Sequence, residues 1–179
     1  ALYDTLLGSD DEWVGLGVVY DAYGRLDEER TNLGWRLRGR ANTAITYGDT
    51  DQLPFTERFF LGGTSILRGF DFRGVGPIDD GFSEGGQTLL AASLDLFYPL
   101  IRSPIPGTLE ERDVLRAGIF ADVGVLGDDE FEADPDEVRA SVGFTLGFVV
   151  PIPITLSFGF PIREEEEDLN RTFSLSFFI

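Results

Sequence analysis

The sequence predicts an all-β fold: an antiparallel transmembrane β-barrel of eight strands, with one long inward-folded loop between the third and fourth. Three observations carry this. Apolar residues recur with period two along most of the chain, and helical spacing is nearly absent. The face opposite each apolar row holds small or charged residues (Gly, Ser, Thr, Arg, Asp), as a narrow lumen demands, where a soluble sandwich would favour Lys and Glu outside. The connections also alternate: 163–170, 127–137, 49–87 and 8–12 are acidic or long, 149–153 is short, and 101–113 and 24–31 are intermediate. Outer-membrane barrels pair long outer loops with short inner turns and an even strand number.

Residues 1–7 are the weakest strand candidate. From Trp13 to Tyr23, Val14, Leu16, Val18 and Tyr20 point one way, with Gly15, Gly17, Val19 and Asp21 opposite. A turn follows at 26–29. The segment 35–47 is the clearest: Trp35, Leu37, Ala41, Ile45 and Tyr47 oppose Arg36, Arg38, Arg40 and Asn42. In a sandwich the apolar row would be core and the arginines solvated; in a barrel the row meets lipid and the arginines line the lumen. Segment 88–100 sets Leu90, Leu94, Leu96 and Tyr98 against Ser93 and Asp95, and 114–125 sets Leu115, Ile119 and Val123 against Arg116, Phe120 and Asp122. In 138–148, Val142, Phe144 and Leu146 oppose Arg139, Ser141 and Gly143. After the Pro151–Pro153 turn, 154–162 carries Leu156, Phe158 and Phe160 opposite Ser157 and Gly159, and 171–179 ends the chain with Phe173, Leu175 and Phe177 in one row.

The long connection contains LPFTERFFLGGTSILRGFDFRGVGP, residues 53–77, rich in glycine, with two prolines and three arginines. Loops this long inside a compact chain are functional or disordered, and the aromatic side chains Phe55, Phe59, Phe60, Phe70 and Phe72 argue against disorder. A packed surface loop is the plainer alternative, with the phenylalanines as loop packing.

Composition excludes several function classes. With 32 acidic and 14 basic residues the formal charge is −18, which disfavours nucleic acid. There is no histidine and no cysteine, so a Ser-His triad, His-ligated zinc, thiol chemistry and disulfides are ruled out. No apolar run is long enough for a membrane helix. Acidic runs such as 128–137 and 164–168 read as solvated loops, with divalent-cation contacts between lipid headgroups as the functional alternative. Their spacing matches no particular cage, so neither a metal nor a cofactor is expected.

The loop LPFTERFFLGGTSILRGF, followed by FRGVGP, closely resembles the sixth extracellular loop of the BamA/TamA-like outer-membrane assembly barrels, the bacterial surface-antigen superfamily. Leu67-Arg68-Gly69-Phe70 stands at the family's Val-Arg-Gly-Phe/Tyr signature, with Leu for Val. Phe120-Ala121-Asp122-Val123-Gly124 is similar to its Phe-x-Asp-x-Gly strand motif, and Asp95 stands where the family usually has Glu. The likeness covers about residues 33–179, which makes the chain look like the C-terminal half of such a barrel. It implies a non-enzymatic module of the bacterial outer membrane that helps insert or translocate outer-membrane proteins. It also implies a loop lock, in which Arg68, Gly69 and Phe70 fold into the lumen and the arginine meets Asp95 and Asp122. Independently, strand parity puts both aspartates on the side of the lumen-lining Arg36, Arg38, Arg40, Arg116 and Arg139.

Family members have sixteen strands and periplasmic receiving domains, whereas residues 1–179 read as a single barrel domain without one. The expected partners are membrane lipid, other assembly subunits or client barrels, and a second copy completing a wider ring. A small structural barrel lacking insertase activity is the alternative function.

Overall fold

The computed structural model describes residues 3–4, 12–26, 32–50, 52–79, 81–107, 110–149 and 152–177. The expected connection 8–12 and the turn 26–29 lie largely outside them.

The strands are β1 (Tyr3–Asp4), β2 (Trp13–Arg25), β3 (Gly34–Thr46), β4 (Gly69–Phe70), β5 (Ile78–Asp79), β6 (Phe82–Ser83), β7 (Thr88–Pro104), β8 (Glu111–Gly127), β9 (Arg139–Phe148), β10 (Ile154–Arg163), β11 (Asn170–Arg171) and β12 (Phe173–Ser176). One 8-stranded sheet runs in the order β1-β2-β3-β7-β8-β9-β10-β12, and its pairs are antiparallel. Two small ribbons, β4 with β11 and β5 with β6, involve the long loop. That loop also holds a one-turn 3-10 helix, Phe55–Glu57.

The register joins the alternating faces across the sheet. Leu37 sits opposite Leu94, Leu94 opposite Ala121, Ala121 opposite Val142, and Val142 opposite Phe160. One continuous apolar face results, because a period-two side-chain pattern keeps its side only if no strand slips by one residue. This face is open: Val18 is 67% exposed, Ile119 61% and Phe173 47%. Its aromatic members touch laterally, Phe144 stacking on Phe158 at 4.9 Å and Phe158 meeting Phe173 at 5.3 Å. In water so large an apolar surface would be an aggregation hazard; against acyl chains it is the ordinary exterior of a membrane barrel. No second layer covers it among the described residues, so the sandwich alternative lacks the layer that would bury this face.

The buried apolar clusters lie on the opposite face, between sheet and loop. Leu61, Leu67, Phe70 and Val75 of the loop pack on Leu89 and Leu126, with Phe59 and Ile66 at the edge. A second cluster joins Leu53 to Trp13 and Ala44.

One expectation needs correction and another is met in part. β7 and β8 are longer than the alternation indicated, each 17 residues with register shifts beyond Pro99, because the hairpin continues past its neighbours. The antiparallel eight-stranded sheet is as expected, but it is open among the described residues: β1 and β12 stand at its two ends and do not pair with each other. A ring of eight strands has an interior that side chains alone fill; here an entire loop layer lies on the inner face.

Candidate functional site: an arginine held on the inner wall

The loop turns back on itself through Gly62 and Gly63, whose φ angles of 113° and 96° suit glycine alone. Backbone bridges Leu61–Val75, Gly63–Leu67 and Phe59–Gly86 close it. Ser83 reinforces the far limb, its Oγ donating to the Val75 carbonyl at 3.0 Å. The loop apex thereby delivers Arg68 onto the sheet, where it is only 5% exposed.

Three neighbouring strands form the receiving surface. Ser93 and Asp95 rise from β7, Phe120 and Asp122 from β8, and Ser141 from β9, with Ser93 opposite Asp122 and Asp122 opposite Ser141 in register. Arg68 Nε donates to Asp122 Oδ2 at 2.8 Å and Nη2 to Asp122 Oδ1 at 2.6 Å, a bidentate fork. Nη1 donates to Asp95 Oδ1 at 2.6 Å, and Nη2 also reaches Ser93 Oγ at 2.8 Å. The Arg68 backbone N–H donates to Asp122 Oδ2 at 2.9 Å, and Ser141 Oγ donates to the Arg68 carbonyl. Phe120 lies under the guanidinium, 3.6 Å from its carbon to the ring centroid.

The adjoining Gly69 has φ of 96°, and β10 passes directly beneath it. A Cβ on Gly159 would come within 2.5 Å of the Gly69 nitrogen, so both glycines are needed for this approach. Phe70, buried, belongs to the cluster under the loop, while Phe55 and Phe72 remain exposed.

The other inner-face arginines separate into different roles. Arg38 joins the site, Nη2 reaching Asp95 Oδ2 and Ser93 Oγ, each at 3.1 Å. Arg36 instead pairs with Asp21 at 2.6 Å. Arg40 is exposed and forms no ion pair among the described residues. Arg116 shares Asp113 with Arg102, at 2.8 and 3.3 Å, near the opposite end of the sheet. Arg139 is buried against Asp168, Nε to Oδ2 at 2.7 Å.

Sequence reasoning did not assign Ser93, Ser141, Gly159 or Asp168 to the site. Their parity was readable, but which small inner-face residue meets the loop depends on the loop's path. Among the described residues no group of three or more carboxylates is placed to hold a metal ion.

The Omp85 superfamily domain matches residues 3–177. The chain belongs to the Omp85 superfamily. It is 31% identical over 163 residues to the outer membrane protein assembly factor BamA of Nitratidesulfovibrio vulgaris, covering 88% of this chain and 19% of that protein. BamA of Neisseria meningitidis is 27% identical over 162 residues, 74% of this chain and 20% of the relative. The likeness extends to eukaryotes: the SAM50-like protein CG7639 of Drosophila melanogaster is 27% identical over 169 residues, 90% of this chain and 37% of the relative. Among solved structures, BamA from Haemophilus ducreyi lacking POTRA domains 1–3 superposes with a TM-score of 0.75 at 26% identity, over 96% of this chain and 36% of that one. The chain therefore spans about a fifth of the length of its bacterial BamA relatives. As the loop signature implied, this is a BamA-like Omp85 protein, and its place is an outer membrane.

Proposed function

We propose that this chain forms part of the wall of a transmembrane β-barrel that inserts or translocates outer-membrane proteins, without bond-breaking chemistry of its own. The observation that carries the reading is the buried fork of Arg68 on Asp122, which fixes a long loop against the inner wall. Relatives named as assembly factors support it. So does the exposed apolar face, which suits contact with acyl chains.

In this reading the eight strands continue around a barrel, and the Arg68 lock keeps the loop from drifting into the path of a client. Removing one partner of such a shielded pair strands a charge, at about 3–5 kcal/mol. Client barrels and further assembly subunits are the partners the reading assigns, alongside lipid. The test is client folding into proteoliposomes with and without the purified chain. Acceleration that Arg68→Ala abolishes supports the reading. If client folding is no faster with the chain present, it is a structural barrel without insertase activity.

A further inference from the structure

The loop is bound a second time, through the residues that follow Arg68. β4 pairs with β11, Phe70 opposite Asn170 and Gly69 opposite Arg171. The ladder continues outside the strands: Asp71 N–H donates to the Leu169 carbonyl at 2.7 Å, and Leu169 N–H to the Gly74 carbonyl at 2.8 Å. Arg171 adds an exposed ion pair with Asp71 at 3.1 Å. Beneath this ladder the segment 164–171 is anchored to the wall. Asp168 Oδ2 accepts from Arg139 Nε at 2.7 Å and from the Glu165 N–H at 2.8 Å. Arg139 Nη1 in turn reaches the Glu137 carbonyl at 2.6 Å and Glu165 at 3.1 Å.

β12 begins at Phe173, two residues after the ladder ends. It is an edge of the sheet and pairs with β10 over only Thr155 to Phe158. Its start is set by the Gly159 N–H donating to the Thr172 carbonyl at 2.8 Å, on the same Gly159 that lies under Gly69. Loop apex, ladder and edge strand thus meet around one glycine.

We propose that the Arg139–Asp168 pair and the β4–β11 ladder form a clasp that makes the inward loop and the edge strand β12 a single mobile unit. The clasp is the weaker of the two latches on the loop. The carboxylates on Arg68 are shielded, Asp122 being 1% and Asp95 17% exposed, whereas Arg139 shares its charge between buried Asp168 and Glu165, which is 54% exposed. Exposed ion pairs add little. The clasp therefore opens before the Arg68 fork, and its opening loosens β12. This gives the Arg139–Asp168 pair a positioning role, setting how readily the edge strand leaves its partner. The inference builds on the loop-lock reading, and its test separates the two.

The experiment is residue-resolved hydrogen–deuterium exchange on the chain in detergent micelles. Asp168→Asn should speed exchange by about tenfold or more, the loss expected for one charged hydrogen bond, in 69–74 and in 173–176 together. A rise confined to 164–171, or no rise, overturns the proposal. Should Asp168→Asn loosen the whole sheet, Arg171→Ala decides, because its ion pair is exposed: a joint rise at loop and β12 supports the clasp, and a local rise or none overturns it. Arg68→Ala reports separately on the lock: unchanged exchange at 66–68 would sink that reading whatever the clasp does.

Discussion

The Arg68 guanidinium sits over the Phe120 ring, 3.6 Å from carbon to centroid, while its edge points at Asp122. The two contacts use different parts of one planar cation. The ring covers a face that cannot hydrogen-bond and excludes water from it. The in-plane N–H groups remain for carboxylates, which attract them more strongly where the effective dielectric is low. A lysine could not make both at once, since its ammonium has no plane to lay on the ring and no fork to offer a carboxylate.

That distinction gives the first expectation. Arg68→Ala should lower resistance to urea by about 3–5 kcal/mol, the usual loss when a buried charge is stranded. It should also open residues 58–77 to protease. Arg68→Lys should recover only part of the stability. Equal melting of wild type and Arg68→Ala, with the loop still protected, would sink the lock.

The two aspartates should not be equivalent. The Asp122 side chain is 1% exposed and among the described residues faces Arg68 alone, whereas that of Asp95 is 17% exposed and also receives Arg38. Asp122→Asn is therefore expected to destabilise more than Asp95→Asn. In a double-mutant cycle, Arg68→Ala with Asp122→Asn should cost less than the sum of the single changes, as for directly coupled groups. Additive losses would place Arg68 and Asp122 in separate interactions.

Gly159→Ala tests the close approach of wall and loop. Its added carbon would meet the Gly69 nitrogen at 2.5 Å and the Gly69 Cα at 2.7 Å, both backbone atoms that cannot swing aside. Overpacking of this kind typically costs about 1–3 kcal/mol. Gly147→Ala on the neighbouring strand has only the Thr155 Oγ1 within reach, at 3.6 Å, and serves as the tolerated control. Equal loop protection in both variants would show that the loop does not depend on this contact.

Much of this architecture was legible because it follows from period two. Once Asp95 and Asp122 were counted onto one side, an unslipped register between β7 and β8 had to keep them on the same wall. The loop signature then named Arg68 as the partner of the two aspartates. What period two cannot give is the third dimension of a connection. Ser141 and Gly159 are inner-face residues like many others, and only the path of residues 67–70 singles them out. Asp168 was hidden for a different reason. It lies in the acidic run Glu164 to Asp168, where four glutamates are exposed and one aspartate is buried against Arg139. A charge run reads as uniformly solvated until a single cation on the wall selects one member. Closure was left open by the sequence, because alternation counts strands without reporting the curvature of the sheet they form.

Glu137 provides a pH-dependent check on the acidic rim. Partial burial, and then the charges of Asp128, Asp134 and Glu132, hold its carboxyl above the ordinary glutamate value, with Arg139 opposing them. An acid whose proton is held more tightly in the folded state than in the unfolded chain weakens the fold when ionised. That penalty is fully present above the raised value. It fades as pH falls through it, and vanishes below the ordinary glutamate range. Glu137→Gln should accordingly melt slightly above wild type near neutral pH, with the gap closing on acidification. Because the side chain is exposed, salt should also narrow the gap by screening. Thermal melts of both proteins in detergent, across pH and at two salt concentrations, decide the matter. A variant less stable than wild type at neutral pH would mean that the Glu137 carboxylate is a net stabilising contact.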